Sequence, residues 1–264
     1  NKGENSWKEK NVVVYTRSER EIGMISKSCQ IVADTLEMLS EYIVPGVSLI
    51  DLDSKAEDYI VSCGARPAFK GYMGFPSTLC ISIDDAVVHG IPYDGTLKEG
   101  QIVGIDCGAE LDGYYGDHAI TFPVGTIAEE KNKLMKITRE SLYKGIEQAI
   151  PGNYIGDIGY AVQSHAESNG YSVVRELVGH GIGEKLHEEP QVPNYGMPNQ
   201  GYKLHAGMCI AIEPMINLGS KDIYTSKDGW TIHTLDGQVS AHFEHTIAIK
   251  EDGPQILSKV TKNG

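Results

Sequence analysis

The sequence predicts an α+β fold in which two similar halves each combine helices with antiparallel hairpins. Two observations predict it. Amphipathic helical stretches are followed by hairpin-forming strands instead of alternating one strand with one helix. The same order of short motifs then occurs twice along the 264 residues.

Taken in order, residues 1–11 are mostly polar and are expected to form a flexible tail. Residues 12–264 are read as one domain, with repeats at about 12–128 and 129–252. A weak strand is expected at 12–15. Ser18 and Glu21 form a capping-box pattern, in which each side chain satisfies a free backbone N–H of the first turn. Ile22, Ile25, Cys29, Val32, Leu36 and Leu39 follow at spacings of three and four, which puts one apolar stripe on a helix. A second helix is expected from Ser48 to before Gly64, with Leu52, Ala56, Tyr59 and Ile60 inward. A third spans 129–149 and stops at Pro151-Gly152. A fourth spans 155–169, with Gly170 as a left-handed stop.

Strands are expected at 79–83 and 101–107, then at 114–122 after the hairpin signal Leu111-Asp112-Gly113. Later strands are expected near 173–177, 208–216, 229–233 and 242–249.

The repetition is visible residue by residue. Pro45-Gly46 leading to Asp51 is echoed by Pro151-Gly152 leading to Asp157. His89-Gly90-Ile91 is echoed by His180-Gly181-Ile182. The run from Gly100 to Asp106 is echoed by the run from Gly207 to Glu213. Asp117-His118 is echoed by Glu244-His245. Four echoes in register point to a duplication, which would bring two Asp from one half and two Glu from the other around a shared axis.

Composition excludes some functions. Acids outnumber Lys and Arg 36 to 23, giving a net charge of -13, the wrong sign for a surface that neutralises phosphates or docks on anionic lipid. No apolar run approaches the length of a membrane span. Five dispersed cysteines without a CxxC pair read as reduced thiols, so the expected compartment is the cytoplasm.

Asp106 stands in an otherwise apolar or small run, and so does Glu213. A buried carboxylate is costly without a partner, and neither strand contains a Lys or Arg. Asp117 and Glu244 each begin an apolar stretch, and Asp106 and Asp117 can meet across their hairpin. Four carboxylates brought together need a compensating charge, which two divalent cations would supply. Oxygen ligands with the single imidazole of His180 suit Mn, Fe, Co or Zn better than a structural zinc site. Two bridging carboxylates would hold such ions about 3.5–4 Å apart around a water or hydroxide. His180 lies in a glycine-rich stretch read as a turn that opens the ring to the site. His187 follows beside Glu188 and Glu189, and His89 is the repeat partner of His180. His118, His165, His205, His233, His242 and His245 are given no site role, with His118 and His245 the least secure because each follows a proposed ligand.

These segments, together with Asp228-Gly229-Trp230-Thr231 and Phe243-Glu244-His245-Thr246, resemble type I methionine aminopeptidases of the short bacterial kind, over roughly residues 15–250. The resemblance implies a pita-bread fold, with pseudo-symmetric halves around a curved antiparallel sheet. It implies metal ligands at Asp106, Asp117, His180, Glu213 and Glu244. His89 would contact the substrate's amine end or the scissile nitrogen, His187 its carbonyl oxygen, and Glu213 would shuttle a proton. Tyr72, Phe75, Cys80, Leu186 and Trp230 would form the methionine pocket. The implied reaction is removal of the initiator methionine from nascent proteins with a small second residue, by a hydroxide bridging the metals. The partners are nascent N-termini. Ribosome contact would be transient, since no dedicated module for it is seen. Leu186 stands where many relatives carry an aromatic residue, and His118 where a small hydroxyl residue is common.

Two other readings are weaker. Cleavage of Xaa-Pro peptides goes, in such relatives, with a long N-terminal domain, for which the first echo at Glu41 leaves little room. A non-enzymatic binding protein would have shed ligands, and all five are present.

Overall fold

The computed structural model describes residues 13–260. The tail expected at 1–11 lies outside the described residues, as does Val12. Residues 13–15 form no strand. Among the described residues there are four α-helices: α1 (Glu19–Ser40), α2 (Leu49–Ser62), α3 (Glu129–Glu147) and α4 (Ile155–Ser168). The strands up to α3 are β1 (Arg66–Pro67), β2 (Leu79–Ile83), β3 (Ala86–Val88), β4 (Ile102–Leu111) and β5 (Tyr114–Pro123). After α4 come β6 (Ser172–Val173), β7 (Gly179–Gly181), β8 (Glu188–Val192), β9 (Cys209–Ile212) and β10 (Met215–Asn217). The last are β11 (Ile223–Thr225), β12 (Ile232–Thr234), β13 (Ser240–His242), β14 (Glu244–Lys250) and β15 (Gly253–Ile256).

Nine strands make one antiparallel sheet in the order β1-β4-β5-β14-β9-β7-β8, with β2 against β4 and β15 against β14. The two halves of the chain meet where Glu244 pairs Ala119 and His245 pairs His118. Local signals work as expected. The Glu21 N–H donates to Ser18 Oγ while the Ser18 N–H donates to Glu21 Oε2 at 2.8 Å, closing the capping box of α1. Asp112 (φ 53°) and Gly113 (φ 85°) both take left-handed conformations, as a tight two-residue hairpin between β4 and β5 requires.

Register decides which side chains share a face, because directly paired residues point the same way and side chains alternate along a strand. Asp106 pairs Ala119, and Ala119 pairs Glu244, so these share a face, with Asp117 two residues from Ala119. Thr246 pairs Ala211, and Ala211 pairs His180, so His180 joins that face. The intervening residues form the other face. There Val103, Ile105, Cys107 and Ala109 pack on Val32, Leu36 and Leu39 of α1 and on Leu52, Ala56 and Ile60 of α2. Ile210, Ile212, Ile247 and Ile249 pack on Leu142 and Ile146 of α3 and Ile158 of α4. Each such fully buried aliphatic side chain stabilises the fold by about 1.5–3 kcal/mol. The first turns of α1 pack elsewhere, with Ile22 and Cys29 against Cys209, Ala248 and Leu186.

The expected strand 208–216 is split into β9 and β10 at Glu213-Pro214, since proline has no N–H for the ladder. The expected strand 242–249 is likewise interrupted at Phe243. The strand expected at 173–177 is confined to 172–173, and that at 229–233 begins only at Ile232. The turn expected around His180 is instead strand β7. Its glycines allow close strand packing: a Cβ on Gly179 would stand 2.2 Å from the Ala211 carbonyl oxygen, and one on Gly181 2.3 Å from that of Glu189.

Gly116 on β5 is another close approach, with a Cβ there 2.4 Å from the backbone nitrogen of Cys29 in α1. Both partners are backbone, so neither can swing away. Gly116→Ala is therefore expected to destabilise the protein by about 3 kcal/mol, measured by urea unfolding; a loss below about 0.5 kcal/mol would contradict this packing.

Candidate metal centre

Asp106 comes from β4, Asp117 from β5, His180 from β7 and Glu244 from the first position of β14, while Glu213 sits at the break after β9. All five line one cavity of about 350 Å³. His180 Nε2 lies 3.4 Å from Glu213 Oε1 and 3.6 Å from Asp117 Oδ2. Its Nδ1 donates to the Gly181 carbonyl at 2.9 Å, which turns Nε2 toward the carboxylates. Asp117, Glu244 and His180 are 3%, 1% and 7% exposed, so these are desolvated groups.

The donor chemistry fits divalent cations. Asp117, His180 and Glu244 each offer an atom within 4.8 Å of the others, and so do Glu213, His242 and Glu244. Asp106 Oδ1, Asp117 Oδ1 and Glu244 Oε1 are buried without a hydrogen-bond partner. Among the described residues, no Lys or Arg pairs with any of the four carboxylates; the side chains that face Asp117 and Glu213 most closely are the imidazoles of His180 and His242. Buried carboxylates without counter-charge are held against a large cost, which cations would offset.

The electrostatics show the same tension. Burial, then the neighbouring charges of Asp117 and Glu213, pushes Asp106 well above the ordinary carboxylate range. Burial, then Asp117, Glu213 and Asp106, does the same to Glu244. Burial also acts to raise Glu213, but His242 and His180 outweigh it and hold Glu213 below its ordinary value. Burial, reinforced by His180, pushes His187 down to about 4, so its imidazole is neutral near pH 7.

The remaining expected residues line the same cavity: Tyr72, Phe75, Cys80, His89, Leu186, His187 and Trp230. Cys80 pairs directly with Asp106 across β2 and β4, which carries the pocket wall up to the carboxylates. Phe75 and Trp230 meet edge-to-face at 5.1 Å, and Leu186 is 2% exposed. His187 Nδ1 is 2.8 Å from the Tyr72 hydroxyl, and its ring centroid is 4.3 Å from that of His180. His89 has a left-handed backbone (φ 59°), a conformation uncommon outside glycine and concentrated at functional sites.

A model of metallopeptidase family M24 matches residues 23–251. The chain belongs to metallopeptidase family M24. It is 50% identical over 248 residues to a methionine aminopeptidase of Clostridium perfringens, covering 94% of this chain and all of that one. It is 49% identical to methionine aminopeptidase 1 of Bacillus subtilis over the same shares. The crystal structure of methionine aminopeptidase from Rickettsia prowazekii superposes with a TM-score of 0.92 at 42% identity, over 93% of this chain and 100% of that one. The prolidase of Pyrococcus horikoshii matches at TM-score 0.76 and 26% identity, over 94% of this chain but only 64% of its own. The α+β pita-bread fold and the family resemblance expected from sequence are both borne out.

Two of the M24 chain's contacts at the site were not foreseen in the sequence. His242 stands beside Glu213, although it was given no role; its only signal is its place two residues before Glu244. Arg17 is 7% exposed, with Nη2 2.7 Å from both Glu188 oxygens and Nη1 3.1 Å from Glu184 Oε2. It clamps the segment that carries Leu186 and His187. His118 and His245 are paired on the opposite face and stack at 4.6 Å, away from the carboxylates. Burial keeps His118 low, at about 4, and its Nδ1 donates to the Glu244 carbonyl, so it supports the strand that presents Glu244.

Arg17→Met leaves the nearly buried Glu188 without its partner. It is expected to cost about 3–5 kcal/mol in chemical denaturation, as breaking a buried ion pair does. A loss under about 1 kcal/mol would show that the clamp is not structural.

Proposed function

We propose that this M24 chain is an aminopeptidase that removes the N-terminal methionine from new polypeptides whose second residue is small. The observation that carries this reading is the continuity of the cavity: one space is lined by the unpaired carboxylates and by Phe75, Cys80, Leu186 and Trp230. An apolar wall of this composition suits an unbranched thioether side chain, and it would lay the first peptide bond beside the acidic cluster. The similarity to methionine aminopeptidases over nearly the whole chain supports the same substrate.

Asp106, Asp117, His180, Glu213 and Glu244 would hold two divalent ions, of Co, Mn, Fe or Zn. Bound there, the ions would polarise the scissile carbonyl and activate a water near neutral pH. Glu213, kept ionised by its histidine neighbours, accepts a proton and passes it to the leaving nitrogen. His187 is neutral, and with Nδ1 accepting the Tyr72 hydroxyl proton its Nε2–H is free to donate to the developing oxyanion. His89 lines the same cavity and would orient the amine end of the substrate. Free thiols at all five cysteines, four of them buried, support a reducing compartment, which we take as the cytoplasm. No helix of the described residues is long and apolar enough to cross a membrane.

The deciding experiment gives metal-reconstituted protein Met-Ala-Ser, Ala-Ala-Ser and an Xaa-Pro dipeptide. Turnover of the first alone is expected; equal or absent cleavage of the methionyl peptide would refute the reading. Glu213→Gln should keep part of the bound metal, counted by elemental analysis, and lose at least about 100-fold in kcat. His89→Ala should lower kcat more than it raises KM, because its contact tightens in the transition state; a near-normal kcat would remove that role.

A further inference from the structure

Each oxygen of Glu213 faces an imidazole. Oε1 is 3.4 Å from His180 Nε2, and Oε2 is 3.6 Å from His242 Nε2. His242 is 3% exposed, and its Nε2 is buried without a hydrogen-bond partner. It is the last residue of β13, fixed there by pairing with Met215 of β10, just after the break at Glu213-Pro214. The contact with Glu213 is too long for a good N–H···O bond. It is close to the separation of about 3.4 Å between two donors that share one tetrahedral cation with bonds of about 2.1 Å. The contacts of His180 fall in the same range, at 3.4 and 3.6 Å.

We propose that His242 Nε2 is a sixth metal-directed donor. Five of the six donor residues fall into two overlapping sets, Asp117–His180–Glu244 and Glu213–His242–Glu244, which share Glu244 and contain one imidazole each, while Asp106 lines the same cavity beside them. This rests on the metallopeptidase reading above and extends its five-residue donor set. A buried ring nitrogen left unpartnered beside two carboxylates is costly, and a cation between them would satisfy all three. A second imidazole also shifts the site's preference, since nitrogen donors favour Co, Fe and Zn over the oxygen-seeking Mn.

The test loads the whole protein with Co(II) and counts exchangeable imidazole N–H signals shifted by the paramagnetic ions in proton NMR. A histidine bound through Nε2 keeps its Nδ1–H and gives one such signal. Wild type should give two, H242Q should lose one, and H180Q should lose the other. Calorimetric titration of H242Q should show one of the two cobalt ions bound at least about tenfold more weakly. Wild type that binds cobalt but gives a single signal would overturn the proposal, even if H242Q failed to fold. Unchanged cobalt affinity and signals in folded H242Q would overturn it as well. Both results leave the metallopeptidase reading standing, whereas wild type that binds no cobalt would overturn the two together.

Discussion

Four carboxylates on one face of a sheet, without a lysine or arginine among their partners, set the terms for this molecule. Antiparallel pairing put Asp106, Asp117 and Glu244 there, and no rotamer change can move a side chain to the other face. Burial and mutual repulsion push Asp106 and Glu244 upward, so without cations the site works against the fold. Stability has to come from elsewhere. It comes from the opposite face, where alternate residues of the same strands are aliphatic and are covered by the four helices. Each strand thus holds the site on one side and the core on the other.

That division explains why the site was legible in the sequence. Acids spaced within apolar strands and repeated in both halves marked the four carboxylates that line the cavity. Capping residues, stripes at three and four, and Asp112-Gly113 gave the helices and the central hairpin. What stayed hidden depends on distant contacts. Arg17 meets Glu188 across 171 positions of sequence, and nothing local marks it. The glycines around His180 signalled a turn, yet they serve close strand packing, a need that exists only once β9 and β8 lie alongside. His242 carries little signal in the sequence, because a lone histidine is more often surface or core than ligand. Its neighbour Phe243 interrupts the strand that would have shown which way it points.

The two histidines that directly follow cavity carboxylates make the opposite case. His118 and His245 lie one residue from Asp117 and Glu244, and alternation alone sends them to the far face. There they stack on each other, with His245 Nδ1 at 2.8 Å from Ser258 Oγ. Burial holds both below the ordinary imidazole range, so neither adds positive charge behind the carboxylates. Sequence adjacency to a cavity carboxylate therefore does not by itself bring a side chain into the cavity.

Glu213 differs from the other carboxylates in where its backbone sits. Pro214 ends β9, so Glu213 leaves the regular ladder, and the Asn194 side-chain amide donates to its carbonyl at 3.1 Å. Still fixed at the main chain, its carboxylate lies between two imidazoles. It is also held below its ordinary value while Asp106 and Glu244 are raised. In the aminopeptidase reading proposed above, Glu213 takes up a proton and releases it again, and that separation keeps its neighbours from competing for the same proton. The break in the strand, a defect from the standpoint of sheet stability, leaves an imidazole facing each oxygen of Glu213, and against burial those imidazoles hold it below its ordinary value.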